Sequence, residues 1–279
     1  MSKTSTLAIF GAAALLLAAA PAQSQETSTW DQVKKNGVVR TGCVQAEPWY
    51  YKDPKTGEWG GLGVGIAKLV AEELKIKWEC VETTWGNAVA GLQANQFDMM
   101  FGVDATPQRA LSIDFTTGQT MYYAVAILAR KDLKTDRWDD LNKPEVKVAV
   151  PLGTSNDVAL TKVLPKATFE RTKGSPEAIA SFASGRADLV GGSSIWLHFQ
   201  NKALDNKGKV VIPAPASAAS ADMAVRRETD KRWRDWLSVA MNYYYLRGIT
   251  QQVYDDYQVS RGMDPAMSPP IMKERMNFQ

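Results

Sequence analysis

Residues 85–117, WGNAVAGLQANQFDMMFGVDATPQRALSIDFTT, restrict the possible folds more than any other part of the chain. They read as an amphipathic helix, then a short apolar strand over 97–101, then a loop that delivers Asp104, Thr106 and Arg109 at the strand's carboxyl end. In open α/β sheets that edge is where small ligands sit. The guanidinium of Arg109 offers a planar fork of donors suited to a carboxylate, and an acidic residue five positions earlier answers a cation on the same molecule. The layout predicts a receptor for a small zwitterion. The bland alternative is a surface arginine paired to a nearby acid such as Asp114.

The rest of the chain alternates strands and helices. Residues 38–43 and 76–81 read as strands, and 64–74 as an amphipathic helix announced by Gly60-Gly61. Residues 121–130 form a long apolar strand running into a charged region, a change that marks a crossing between lobes. A second lobe then opens with a strand at 146–150, the loop Pro151-Leu152-Gly153-Thr154-Ser155 and a helix from Asn156 to about Val163. Further strands at 166–171 and 187–191 flank a helix whose start, Ser175-Pro176-Glu177, is a good cap with proline in the first turn. Residues 221–226 return the chain, 228–257 are mostly helical, and the Pro-rich tail from Pro265 either packs along the first lobe or is partly mobile. Two crossings between two α/β lobes predict a hinged clamshell with its site in the cleft. Lobe 1 takes residues 23–126 and 223–279, and lobe 2 takes 127–222.

Residues 1–22 combine Lys3, an apolar run from Leu7 through Ala20, and Ala20-Pro21-Ala22, which fits a signal peptide and its cleavage site. The run, roughly 14 residues, is short for a membrane span, so the expectation is a soluble periplasmic protein without stable membrane insertion. Of the 33 basic residues, removal of Lys3 leaves 32 against 30 acidic ones, a balance that gives no reason to invoke nucleic acid. With 45% apolar content, the remaining length is enough for two lobes, each with a core. No Ser/His/Asp set, zinc spacing, Walker loop or dinucleotide fingerprint is present, and the single histidine, His198, makes neither a metal site nor a catalytic dyad. Neither cofactor nor metal is expected.

Trp85, Leu92-Gln93, Phe97-Asp98, Thr106-Pro107-Gln108-Arg109 and Asp114-Phe115-Thr116 agree, in order, with a known signature. The stretch resembles that of the family 3 extracellular solute-binding proteins, the polar amino-acid receptors of ABC importers. The resemblance implies a type II periplasmic-binding-protein clamshell, monomeric and non-enzymatic, that delivers a carboxylate-bearing solute to an inner-membrane ABC permease. It also implies that Arg109 holds the ligand's α-carboxylate, that Trp85 stacks on its side chain, and that Gly102 lines the site. Gly153-Thr154-Ser155 would grip the same carboxylate from the other lobe, although Thr154 reads equally as an ordinary helix cap. Glu47 falls in the loop that lines the side-chain pocket, whereas Trp49 and Tyr50 read as lobe packing. Cys43 and Cys80 end the first two strands, neighbours in the sheet order of this family. They are either a disulfide or two small buried hydrophobes.

Two departures matter. Ser193 stands where members that bind α-amino acids carry an aspartate for the α-ammonium, and Gly61-Leu62-Gly63-Val64-Gly65 replaces a Gly-Phe-Asp-Val-Asp pattern. Either Asp104 takes over the ammonium contact, or Asp104 is a loop cap and the ligand lacks that ammonium. Cyclohexadienyl dehydratases resemble these receptors, so an enzyme with Glu47 or Asp104 as general acid is the alternative of a different class.

Overall fold

A computed structural model describes residues 27–118 and 120–276; the predicted signal peptide lies outside them. The first α/β layer begins with α1 (Thr29–Asn36), capped by the Ser28 hydroxyl, and β1 (Val38–Cys43). The short hairpin β2 (Tyr51–Lys52) and β3 (Trp59–Gly60) leads to α2 (Leu62–Leu74), followed by β4 (Lys77–Glu82), α3 (Ala88–Gln93), β5 (Met100–Val103) and β6 (Ile113–Phe115). Strands β1 and β4 run parallel with Thr41 opposite Cys80, and a bridge from Thr41 to Met99 joins them to the segment entering β5. Helix α2 covers them with Leu62, Val64, Ile66 and Val70.

The unusual glycines of α2 have a packing reason. A Cβ at Gly63 would lie 2.2 Å from the Tyr50 ring, and one at Gly65 would lie 2.3 Å from Val253. Larger residues at either position would push the helix off its neighbours. The alternatives for the cysteines resolve to a Cys43–Cys80 disulfide between the adjacent parallel strands. Beside them, the buried Asp98 carboxylate accepts from the Arg40 backbone N–H at 2.7 Å and from its guanidinium at 2.6 Å, which ties β1 to the approach of β5.

The second layer holds β7 (Tyr122–Ala129), α4 (Trp138–Leu141), β8 (Lys147–Pro151), α5 (Ser155–Val163), β9 (Thr168–Thr172), α6 (Ser175–Ala183), β10 (Leu189–Ser193), α7 (Ser194–Ala203), β11 (Lys209–Val211) and β12 (Ala218–Ser220). Its order is β11–β7–β10–β8–β9, with β12 also on β7. The chain then returns as β13 (Asp222–Arg226), which inserts antiparallel between β5 and β6, and finishes in α8 (Arg232–Leu246) and α9 (Ile249–Ser260). The single predicted helical region over 228–257 is thus two helices, broken at Gly248 with φ +72°.

The long apolar strand spans the region where the chain passes between the lobes: residues 125–129 of β7 pair with β10 and β11 in the second sheet, and 122–124 pair with β12, the segment that leads back to the first layer. Its apolarity reflects burial at the sheet's centre, flanked on both sides, and the polar residues after it mark where the strand ends. The fold is a two-lobed α/β clamshell with two crossings, the chain leaving by way of β7 and returning by way of β12 and β13. The tail crosses back over this region: Ile271 O accepts the Tyr122 N–H at 2.9 Å, and the Tyr245 hydroxyl donates to Glu274 at 2.7 Å.

Candidate functional site

The carboxyl end of β5 faces the loops of the second sheet across a cavity of about 490 Å³ of free space, part of it open to solvent. Gly102 opens this edge with φ +87°, and a Cβ there would come within 3.1 Å of Trp49 and 3.2 Å of Trp85. Only glycine meets both demands without strain. The loop that follows folds on itself through the Thr106 hydroxyl, which accepts the Arg109 N–H at 3.2 Å.

That turn aims the Arg109 guanidinium at the cavity. It donates to Asp104 O at 3.2 Å and, across the cleft, to Gly153 O at 3.4 Å. Among the described residues no carboxylate pairs with it: Asp114, the neighbour a surface arginine would use, is held by Arg227 at 3.2 Å and by Lys231.

Asp104 is buried, 7% exposed, at the same edge. Its Oδ2 accepts from the Tyr123 hydroxyl at 2.5 Å and from the Ser155 hydroxyl, so this carboxyl already joins the two lobes. Burial pushes its pKa up, against the opposing pull of the two hydroxyls and the Arg109 charge. Burial also raises the Tyr123 phenol well above its ordinary value, with the Asp104 charge adding to it, and so keeps it a proton donor.

The opposite wall is built from two helix starts. Thr154 caps α5, its hydroxyl accepting the Asp157 N–H at 3.0 Å and donating to Pro151 O at 2.9 Å. Ser193 caps α7, accepting the Trp196 N–H at 3.2 Å. No aspartate stands at this position, and among the described residues the charged side chains lining the cavity are Asp104 and Arg109, both from the first lobe.

Arg109, Asp104, Gly102, Trp85, Thr154, Ser155 and Ser193 therefore meet at one cavity. Glu47 does not join them, which corrects its expected place in the side-chain pocket. Its carboxylate turns toward α9, accepting from the Tyr257 hydroxyl at 2.7 Å and from Arg261 at 2.6 Å, because that helix end supplies the cation Glu47 needs for burial. The sequence reading also missed Trp49, Tyr123, Asn156, Ser175 and Trp196, all of which line the cavity. For Trp196 a signal existed: it lies in the first helical turn after the strand ending at Ser193. Tyr123 carried none, since its place depends on which sheet β7 joins. Trp49 had been read as packing, and it does pack edge-on against Trp85 and Tyr123 while reaching the cavity. His198 is half-buried and borders a different groove, and among the described residues no cluster of His, Cys, Asp and Glu is placed to hold a metal ion.

Two α/β lobes joined by two crossings, with a cavity between them carrying one cation and one anion, define a ligand-binding clamshell. The chain belongs to the bacterial extracellular solute-binding proteins, family 3, whose profile matches residues 39–260. It is 27% identical over 174 residues to the L-cystine-binding protein TcyA of Bacillus subtilis, covering 60% of this chain and 61% of TcyA. The matched stretch thus spans less than two thirds of that relative. It is also 26% identical over 237 residues to cyclohexadienyl dehydratase of Pseudomonas aeruginosa, covering 83% of this chain and 88% of the enzyme. Among solved structures, an ancestral amino acid-binding protein described as a precursor of cyclohexadienyl dehydratase is 32% identical, with a TM-score of 0.74, 82% of this chain and 99% of that chain covered. The solute receptor for L-cysteine of Neisseria gonorrhoeae shares the fold, at 22% identity and a TM-score of 0.75, with 86% of this chain and 98% of that chain covered.

Proposed function

We propose that this protein is the periplasmic receptor of an ABC importer, capturing a small zwitterion with a carboxylate, an amino acid or a close relative, by lobe closure. The observation that carries this reading is the Arg109 guanidinium, aimed into the interlobe cavity and, among the described residues, bonded to two backbone oxygens and to no carboxylate. Its fork takes the carboxylate, and the buried Asp104 charge answers the cation. The N–H groups at the start of α5 complete the grip from the second lobe. Closure is a population shift driven by contacts that exist only when both lobes meet the ligand. Residues 1–22 direct export and are removed, and the monomeric product presents its ligand to an inner-membrane permease. The names of the relatives support transport of an amino acid.

The reading does without catalysis, although the dehydratase relative and a buried carboxyl with a raised pKa supply what a general acid needs. One experiment separates the two. A thermal-shift panel of amino acids, opines and simple carboxylates should contain a ligand that, at about 100 times its dissociation constant, adds about 2.7 kcal/mol to stability. Incubation with prephenate and arogenate should give no product. Turnover of either compound, or a panel in which no zwitterion stabilises the protein, would remove the receptor reading.

A further inference from the structure

We propose that the cation of the ligand is an N-methylated ammonium, held in a cage of aromatic rings, so that the ligand class is a compact betaine-type zwitterion. This rests on the reading of the cleft as a receptor site for a zwitterion. The first observation is the walls. Trp49 and Trp85 from the first lobe, and Tyr123 and Trp196 from the second sheet and its following helix, all line the one cavity. Trp49 stands at 82° to Trp85 with ring centroids 6.2 Å apart, and at 80° to Tyr123 at 6.1 Å. Trp49 thus stands nearly perpendicular to both neighbours, and the cavity wall carries rings in more than one plane. A single flat side chain asks for one stacking face, whereas a rounded cation surrounded by methyl groups is attracted by several π faces at once.

The second observation is the state of the polar groups. A primary ammonium brings three N–H donors that need acceptors in a dry site. Here the Thr154 and Ser193 hydroxyl oxygens already accept backbone N–H groups of their own helices. The Ser155 hydroxyl donates to Asp104, whose Oδ2 also receives the Tyr123 hydroxyl. The cavity thus offers one carboxylate, Asp104, whose Oδ2 is already taken by two hydroxyls, and Ser193 in place of a carboxylate on the second lobe. A methylated ammonium needs charge and π faces and no hydrogen bonds, while the carboxylate at its other end suits Arg109.

The test is isothermal titration of the protein with glycine, N,N-dimethylglycine, glycine betaine and 3,3-dimethylbutanoate, the carbon isostere of glycine betaine that keeps the carboxylate and lacks the cation. Affinity should rise with methylation, with glycine betaine about tenfold or more tighter than glycine, and should fall about tenfold in the isostere. Trp85→Leu, which removes a π face and keeps apolar bulk, should abolish most of the preference for glycine betaine over its isostere. Glycine binding as tightly as glycine betaine would overturn the cage and leave the receptor reading standing. Equal affinity for the isostere would overturn it too, by showing an apolar pocket indifferent to charge. Heat from none of the four would also overturn the cage, and the wider amino-acid panel would then decide the receptor reading separately.

Discussion

Arg109→Ala is expected to weaken ligand binding by about a hundredfold or more while leaving the unliganded protein folded. Truncating one partner of a desolvated, hydrogen-bonded charge pair costs about 2–5 kcal/mol, much of it from the carboxylate left without its partner. An exposed ion pair would not produce a loss of that size. In the unliganded protein the guanidinium has little to lose: it is half-buried and donates to two backbone oxygens at 3.2 and 3.4 Å. The melting temperature without ligand should move by less than about 4 °C, the shift expected for roughly 1 kcal/mol in a chain of this size. Titration calorimetry and a thermal melt on the same preparation check both halves. Affinity retained within a few-fold would contradict the carboxylate assignment.

Asp104→Asn should separate binding from stability in the opposite sense. Burial raises the pKa of Asp104 in the folded protein above its ordinary value. Between those two pKa values the folded state holds more protons than the unfolded state, so this group's contribution to stability falls as pH rises through the window. It is fully present below the ordinary carboxyl range and lost above the raised pKa, where a charged carboxylate sits in a dry site. Asparagine stays neutral throughout. The unliganded variant should therefore melt at the same or a higher temperature than the parent at neutral pH, with the difference shrinking as pH drops. Ligand affinity should fall by about 2–5 kcal/mol, because the charge facing the ligand's cation is gone. For the same reason, affinity in the parent should decline as acid protonates Asp104. A lower melting point with unchanged affinity would make Asp104 a structural loop residue.

The parts of this molecule that could be read from sequence are those fixed by local geometry. Gly102, Asp104 and Arg109 share one strand end and one tight loop, so their meeting at the cavity follows from a few consecutive residues. Thr154 likewise follows from a strand-to-helix turn, where a hydroxyl caps the next helix, whereas Ser193 stood out only by its place in the family pattern and its cap on α7 came from the structure. What escaped depends on distant partners. The lobe to which β7 belongs is decided by its pairing with β10, β11 and β12, all much later in the chain, and with it goes the position of Tyr123. Glu47 departs from its expected place because the arginine that holds it lies 214 residues away, just past the end of α9. The cysteine alternatives needed the β1–β4 register, and the glycines of α2 needed the positions of Tyr50 and Val253. Hydrophobic pattern supplies elements, but the faces they present to one another come from packing.

Arg109 is expected to hold the anionic end of the ligand between the lobes. A crystal structure with the tightest ligand from the stability panel tests it most directly. The account predicts a carboxylate with both oxygens about 3 Å from the Arg109 guanidinium, its cationic end toward Asp104 and the aromatic walls, and the start of α5 closed over it. A ligand seated elsewhere, or bound in the cleft with Arg109 turned to solvent, would contradict it.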